Sequence, residues 1–152
     1  MRTADIYNYR KVDEDTFTAG QPSADQLRAA AAEGVTTVIN LLPAHERRAL
    51  PDEAALVEAL GMDYHYIPVD WLHPTEQDFA AFEAAMQRRR AGKTLIHCAA
   101  NYRVTAFYAL YALKHLRWTP EQAETFRASI WQGSDVPQWE SFIAALRAKI
   151  AP

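Results

Sequence analysis

Apolar residues along this chain fall into short compact runs and longer spaced ones. Four compact runs, Phe17 to Ala19, Val35 to Leu42, Tyr64 to Val69 and Thr94 to Ile96, read as strands, and Val35 to Leu42 is β-branched enough to be buried on both faces. The intervening stretches read as helices with legible ends. Ser23 and Gln26 have the spacing of a capping box, and the helix they open closes at Gly34. Asp52 to Leu60 forms a second helix, closed by Gly61. Thr75 is an N-cap for a third, running to Arg90 with Phe79, Phe82 and Met86 on one face. From Arg103 the pattern turns helical again, with Val104, Phe107, Tyr108, Leu110, Tyr111 and Leu113 covering most of the circumference, so this helix is buried.

Strands that alternate with helices are joined by crossovers, which makes the sheet mostly parallel. The expected architecture is α/β and three-layered, with a central sheet of four to five strands flanked by helices. Residues 1–14 are charged and mixed, a surface arm or edge segment. After Leu116 the chain stays helical. Thr119-Pro120 is an N-cap followed by proline at the first helical position, and Trp139, Phe142, Ile143, Leu146 and Ile150 mark an amphipathic last helix. Nothing interrupts this order, so residues 1–152 are expected to form one domain.

In parallel sheets, ligands sit at the carboxyl ends of strands. Three loops reach that edge: Leu42 to His45, Asp70 to His73, and the segment that follows His97. The last carries Cys98, the only cysteine of the chain. It stands where a strand ends and a core helix starts. The first amides of a helix lack internal partners and carry partial positive charge, so anions bind there and thiols are pushed toward thiolate. Arg103 adds a fork of donors suited to phosphate or sulfate.

The segment HCAANYRVT resembles the signature loop of cysteine-based protein-tyrosine and dual-specificity phosphatases, H-C-x-x-G-x-x-R-[ST]. With TAGQPS, VINLLPAHE and YIPV upstream, the stretch from Phe17 to Leu116 looks like a bacterial phosphatase branch related to the beta-lactamase-hydrolase-like proteins. The resemblance implies a phosphatase-like fold with a helical C-terminus. It also implies hydrolysis of a phosphomonoester, phosphotyrosine-like or a small aryl phosphate, by a cysteinyl-phosphate route. Cys98 would be the nucleophile, and Arg103 with the Ala99, Ala100, Asn101 and Tyr102 amides would hold the phosphate. Thr105 would hydrogen-bond the sulfur and His97 would brace the loop. Asp70 is the expected general acid, although Trp71 can align at the acid's position, and His73 is a second donor. Gln21 is expected to face the site, and Trp71 and Tyr102 to wall it.

Two departures stand out. The family's arginine follows its cysteine by six residues; Arg103 follows Cys98 by five. One helical residue is roughly 100° of rotation, so the guanidinium takes a different direction. The loop glycine is replaced by Asn101, which tolerates left-handed backbone better than other side chains. The shorter spacing matches rhodanese-type sulfurtransferases, which leaves open a sulfurtransferase or a catalytically weak phosphate-binding module. The helical ending favours the phosphatase branch.

Bulk properties narrow the partners. A net charge of −3 gives no basic field for nucleic acid or a membrane surface. No apolar run approaches the ~20 residues of a membrane span, and the polar start lacks a signal-peptide core, so the expected location is cytoplasmic. A single cysteine excludes an internal disulfide and a cysteine-rich metal centre. No cofactor or metal is expected. The expected partners are a phosphorylated protein or small molecule, with phosphate or sulfate able to occupy the loop. The charged run Glu46, Arg47 and Arg48 would steer an anion, and Arg88 to Arg90 would complement a helix end.

Overall fold

A computed structural model describes residues 1–150; the last two residues of the expected domain lie outside the described part. After a 3-10 turn at Thr3–Asp5 the order is β1 (Arg10–Asp13), β2 (Thr16–Ala19), α1 (Ala24–Ala32), β3 (Val35–Asn40), α2 (Glu53–Ala59), β4 (Asp63–Tyr66), α3 (Glu76–Gln87), β5 (Lys93–His97), α4 (Tyr102–His115), α5 (Pro120–Ala128) and α6 (Pro137–Ile150). The sheet order is β1-β2-β5-β3-β4. Among the described strands only β1 pairs antiparallel, so the polar start of the chain becomes an edge strand. The other pairings are parallel, as the alternation with helices requires.

Side chains alternate across a strand, so neighbours such as Val38 and Ile39, or Leu95 and Ile96, enter opposite layers. Ile39 and Ile96 join Phe82, Phe107, Trp139 and Phe142 under α3, α4 and α6. Val38 and Leu95 join Phe17, Leu27 and Val57 under α1 and α2. Helix α4 is buried without interruption from Arg103 to Ala112, as its all-round apolar pattern demands. The expected caps form: Ser23 with Gln26, Thr75 with Asp78, and Thr119 with Gln122 are reciprocal capping boxes. Arg89 donates from Nε to the Met86 carbonyl at 2.8 Å, beyond the end of α3. Arg90 turns away to the Gly61 carbonyl and Asp63.

Strands β3 and β4 stop earlier than the apolar runs suggest, at Asn40 and Tyr66 rather than Leu42 and Val69. The Asn40 side-chain oxygen accepts from the Leu42 amide at 2.8 Å and bends the chain out of the ladder. Backbone pairing continues irregularly, from Ile67 N to Asn40 O at 2.9 Å and from Val69 N to Leu41 O at 3.0 Å. The carboxyl edge of the sheet therefore splays into loops, and the site lies there.

Candidate active site

His97 ends β5 between Ala19 of β2 and Asn40 of β3, which delivers Cys98 to the middle of the carboxyl edge. The loop then folds back against the end of β2. The Gln21 amide donates to the Ala99 carbonyl at 2.9 Å, and the Asn8 side chain donates to the Ala100 carbonyl at 3.0 Å. Gly20 makes this approach sterically feasible, since a Cβ there would lie 2.5 Å from the Ala99 oxygen. Asn101 takes φ +70°, the left-handed conformation expected where the resembling motif has glycine, and becomes the N-cap of α4. Its side-chain nitrogen donates to Asn8 O at 2.8 Å and Thr18 Oγ1 at 3.0 Å, pinning the turn to the preceding strands.

A cleft of about 500 Å³ opens above the loop, lined by Cys98, Ala99, Ala100, Tyr102 and Arg103 on one side and His45, Glu46, Asp70, Trp71 and Leu72 on the other. Cys98 lies at its base, 1% exposed. Arg103 is 4% exposed and is aimed by two loops at once. Its Nη2 donates to Glu46 Oε2 at 2.6 Å, and its guanidinium carbon lies 5.1 Å from the centre of the Trp71 ring. Its Nε is buried without a protein partner. Trp71 and Tyr102 pack on Trp131, with ring centres 5.3 Å and 5.2 Å away, so the aromatic wall is braced from behind.

Asp70 stands at the rim, exposed. Its carboxylate accepts from the Leu72 amide at 2.9 Å and lies 3.6 Å from His73 Nδ1. The amide bond first, then His73, holds its pKa below the usual carboxylate range. His73 itself lines the neighbouring depression rather than this cleft. Arg48 leaves the cleft to stack over Tyr7, 5.5 Å from its ring centre.

Four expected site residues turn away from the cleft. Gln21 points under the loop, donating from Nε2 to Glu53 Oε1 at 2.7 Å and to the Pro22 carbonyl. Thr105 is fully buried, and its hydroxyl donates back along α4 to the carbonyls of Asn101, at 2.9 Å, and Tyr102, at 3.1 Å; the expected bond to sulfur is corrected to a helix-internal one. The Asn101 side chain serves the scaffold, as above. His97 is completely buried beneath the loop, with Nε2 2.7 Å from Glu53 Oε2 and Nδ1 3.3 Å from the Cys98 carbonyl. Glu53 was invisible in the sequence, because an acid in the first turn of a helix ordinarily complements the dipole. Burial pushes its carboxyl up, but the charge and hydrogen bond of His97, with the bonds from Gln21 and Tyr64, outweigh this and leave it below its ordinary value. Among the described residues no group of three or more His, Cys, Asp or Glu is placed to hold a metal ion, and no helix is long and apolar enough to cross a membrane.

A cysteine at the strand-to-helix turn of a mostly parallel sheet, with an arginine from the first turn of the next helix in the same cleft, places the domain among the phosphatase-like folds. The known structures with this fold agree. A DUF442 phosphatase candidate of Shewanella putrefaciens CN-32 superposes with a TM-score of 0.88 at 34% identity, over 99% of this chain and 98% of that one. TpbA of P. aeruginosa, in complex with pTyr, shares the fold at 16% identity, with a TM-score of 0.71 over 95% of this chain and 90% of its own. The family model of the beta-lactamase hydrolase-like protein, phosphatase-like domain, matches residues 8–114, and the chain belongs to that family. The beta-lactamase hydrolase-like protein of Xylella fastidiosa (strain 9a5c) is 33% identical over 113 residues, 72% of this chain. The aligned part is 25% of that relative, so the chain spans about a quarter of its length.

Proposed function

We propose that this domain hydrolyses phosphomonoesters, those of aryl alcohols foremost, with Cys98 as the nucleophile. The observation that carries the reading is that Cys98 and Arg103 line one cleft at the start of α4 although the loop between them is one residue short. In the proposed reaction the Cys98 sulfur attacks phosphorus in line with the ester oxygen. The S–P bond forms as the P–O bond to the alcohol breaks, giving a cysteinyl-phosphate and the departing alkoxide. Water then attacks phosphorus, releases inorganic phosphate and restores the sulfur. Arg103 and the amides from Ala99 to Arg103 stabilise the oxygens as charge develops, which is commonly the largest catalytic contribution.

The rim supplies substrate preference. A carboxyl held ionised is a poor proton donor, so Asp70 is better suited to shaping the turn than to protonating the leaving group. Aryl oxides depart without such help more readily than alkyl oxides. The wall of Trp71, Tyr102 and Leu72 fits a flat apolar alcohol. A phosphotyrosine side chain or a small aryl phosphate meets both conditions.

The test is phosphate release from an aryl phosphate, run beside thiosulfate-to-cyanide sulfur transfer, for the wild type and Cys98→Ser. Phosphate release that falls on the order of 10³-fold or more in the variant is the expected result. Sulfur transfer alone would overturn the reading in favour of a sulfurtransferase, and anion binding with neither activity in favour of a binding module.

A further inference from the structure

In-line displacement fixes the side from which a proton reaches the leaving group. The ester oxygen departs on the face of phosphorus opposite the attacking sulfur. Cys98 lies at the base of the cleft, so that oxygen faces the wall of His45, Glu46, Asp70, Trp71 and Leu72. Few side chains on this wall can hand over a proton. The Asp70 carboxyl is held below its usual range by the Leu72 amide first, with His73 and His45 adding to the effect. The Glu46 carboxylate accepts from Arg103 at 2.6 Å. Trp71 and Leu72 carry no titrating group. His45 remains. An imidazole ordinarily changes charge between about pH 5 and 8, the range in which one group both gives and takes protons most effectively.

We propose that His45 is the proton donor to the leaving oxygen and, after the first step, the base that activates water. The assignment rests on the phosphatase reading and extends it to esters of less acidic alcohols. The loop after β3 presents the residue between two anchored neighbours. The Ala44 amide donates to the Tyr66 hydroxyl at 2.7 Å, at the end of β4. The Glu46 amide donates to the Pro43 carbonyl at 3.0 Å and closes a turn around Ala44 and His45. His45 itself is exposed and lines the cleft. The charged groups that share the cleft with it are Glu46 from its own loop, Asp70 from the loop after β4 and Arg103 from α4. The other histidines are placed elsewhere. His97 is sealed beneath the loop, His115 is bonded to Glu83 at 2.6 Å, His73 lines the neighbouring depression and His65 belongs to β4. In the first step the His45 imidazolium passes its proton to the ester oxygen as the S–P bond forms and the P–O bond breaks, so the departing oxygen is neutralised as it leaves. In the second step the neutral imidazole takes a proton from water as the water oxygen bonds to phosphorus and the S–P bond breaks. This restores imidazolium and thiolate and releases inorganic phosphate.

A series of phosphate esters tests the role in the full chain, wild type and His45→Gln, running from para-nitrophenyl phosphate through phenyl phosphate to glycerol phosphate. The loss in kcat/KM is expected to grow along the series as the leaving oxygen becomes more basic. It should run from less than about tenfold for para-nitrophenyl phosphate to about 10²–10⁴-fold for glycerol phosphate. The kcat–pH profile for phenyl phosphate should fall on the basic side in the wild type and lose that limb in His45→Gln. A loss of the same size for every ester would give His45 a structural part only and overturn the donor role, as would no loss at all. Should the variant fail to fold, the wild-type profile decides: a kcat that does not fall on the basic side would overturn the role. A wild type with no Cys98-dependent release from para-nitrophenyl phosphate would overturn the phosphatase reading itself. Cys98-dependent release whose leaving-group pattern is unaltered in His45→Gln would overturn the donor role alone.

Discussion

The two sides of the Cys98 loop are built on opposite terms. Above it, Arg103 pairs with Glu46, whose side chain is 29% exposed, and leans on Trp71 at the rim of an open cleft. Below it, Glu53 and His97 pair at 4% and 0% side-chain exposure, closed in by Gln21, Tyr64 and Asn40. The upper pair reaches solvent through Glu46 and leaves the Arg103 Nε without a protein partner, as a group that receives an anion requires. The lower pair is saturated, as a group that holds a backbone requires. A charge near water can change partners at small cost, whereas one sealed in the interior cannot.

Substitutions on each side should separate these roles. Glu53→Ala leaves His97 buried without its partner and is expected to destabilise the fold by about 3–5 kcal/mol, read as a lowered denaturant midpoint. The same carboxyl gives stability a pH dependence. Its folded pKa lies below the unfolded one, so its contribution is complete above the unfolded value and is lost as pH falls through the folded value. Acid titration of the unfolding midpoint should show this loss in the wild type and not in Glu53→Ala. Arg103→Ala, on the open side, is expected to lower kcat/KM for an aryl phosphate by about 10²–10³-fold with the fold retained. Gly20→Ala acts at the seam, where its methyl meets the Ala99 carbonyl; a loss of about 1–3 kcal/mol in stability is expected, with weakened phosphate binding. Asp70→Asn has the smallest effect, less than about tenfold in kcat for an aryl phosphate, against the 10²–10⁴-fold that a working general acid contributes. A drop within that larger range would return the acid role to Asp70.

Local signals made the upper side legible in the sequence and left the lower side dark. The loop, the left-handed Asn101, the capping boxes and the buried helix α4 all follow from residues close together in the chain. Convergence of the loops after β3, β4 and β5 follows from parallel topology alone, and it brought His45, Asp70 and Cys98 to one edge. Glu53 lies 44 residues from His97, and its sequence context is that of any acid at a helix start. Gln21 was expected at the site because it belongs to a recurring turn, but its side chain faces Glu53, a partner 32 residues away. Thr105 matched a family position, yet the early Arg103 shows that the register of the first turn differs, and its hydroxyl found the carbonyl one turn back instead. Glu46 reads in the sequence as part of an anion-steering charged run; what gives it a different role is Arg103, 57 residues away.

The claim on which the reading rests is that the short loop still gathers sulfur, amides and guanidinium around one tetrahedral anion. A crystal structure of the protein soaked in phosphate tests it most directly. The expected result is phosphorus facing Cys98 Sγ, with oxygens bonded to Arg103 and to amides between Ala99 and Arg103. An empty loop at saturating phosphate, or an anion bound with Arg103 turned to Glu46 alone, would contradict it.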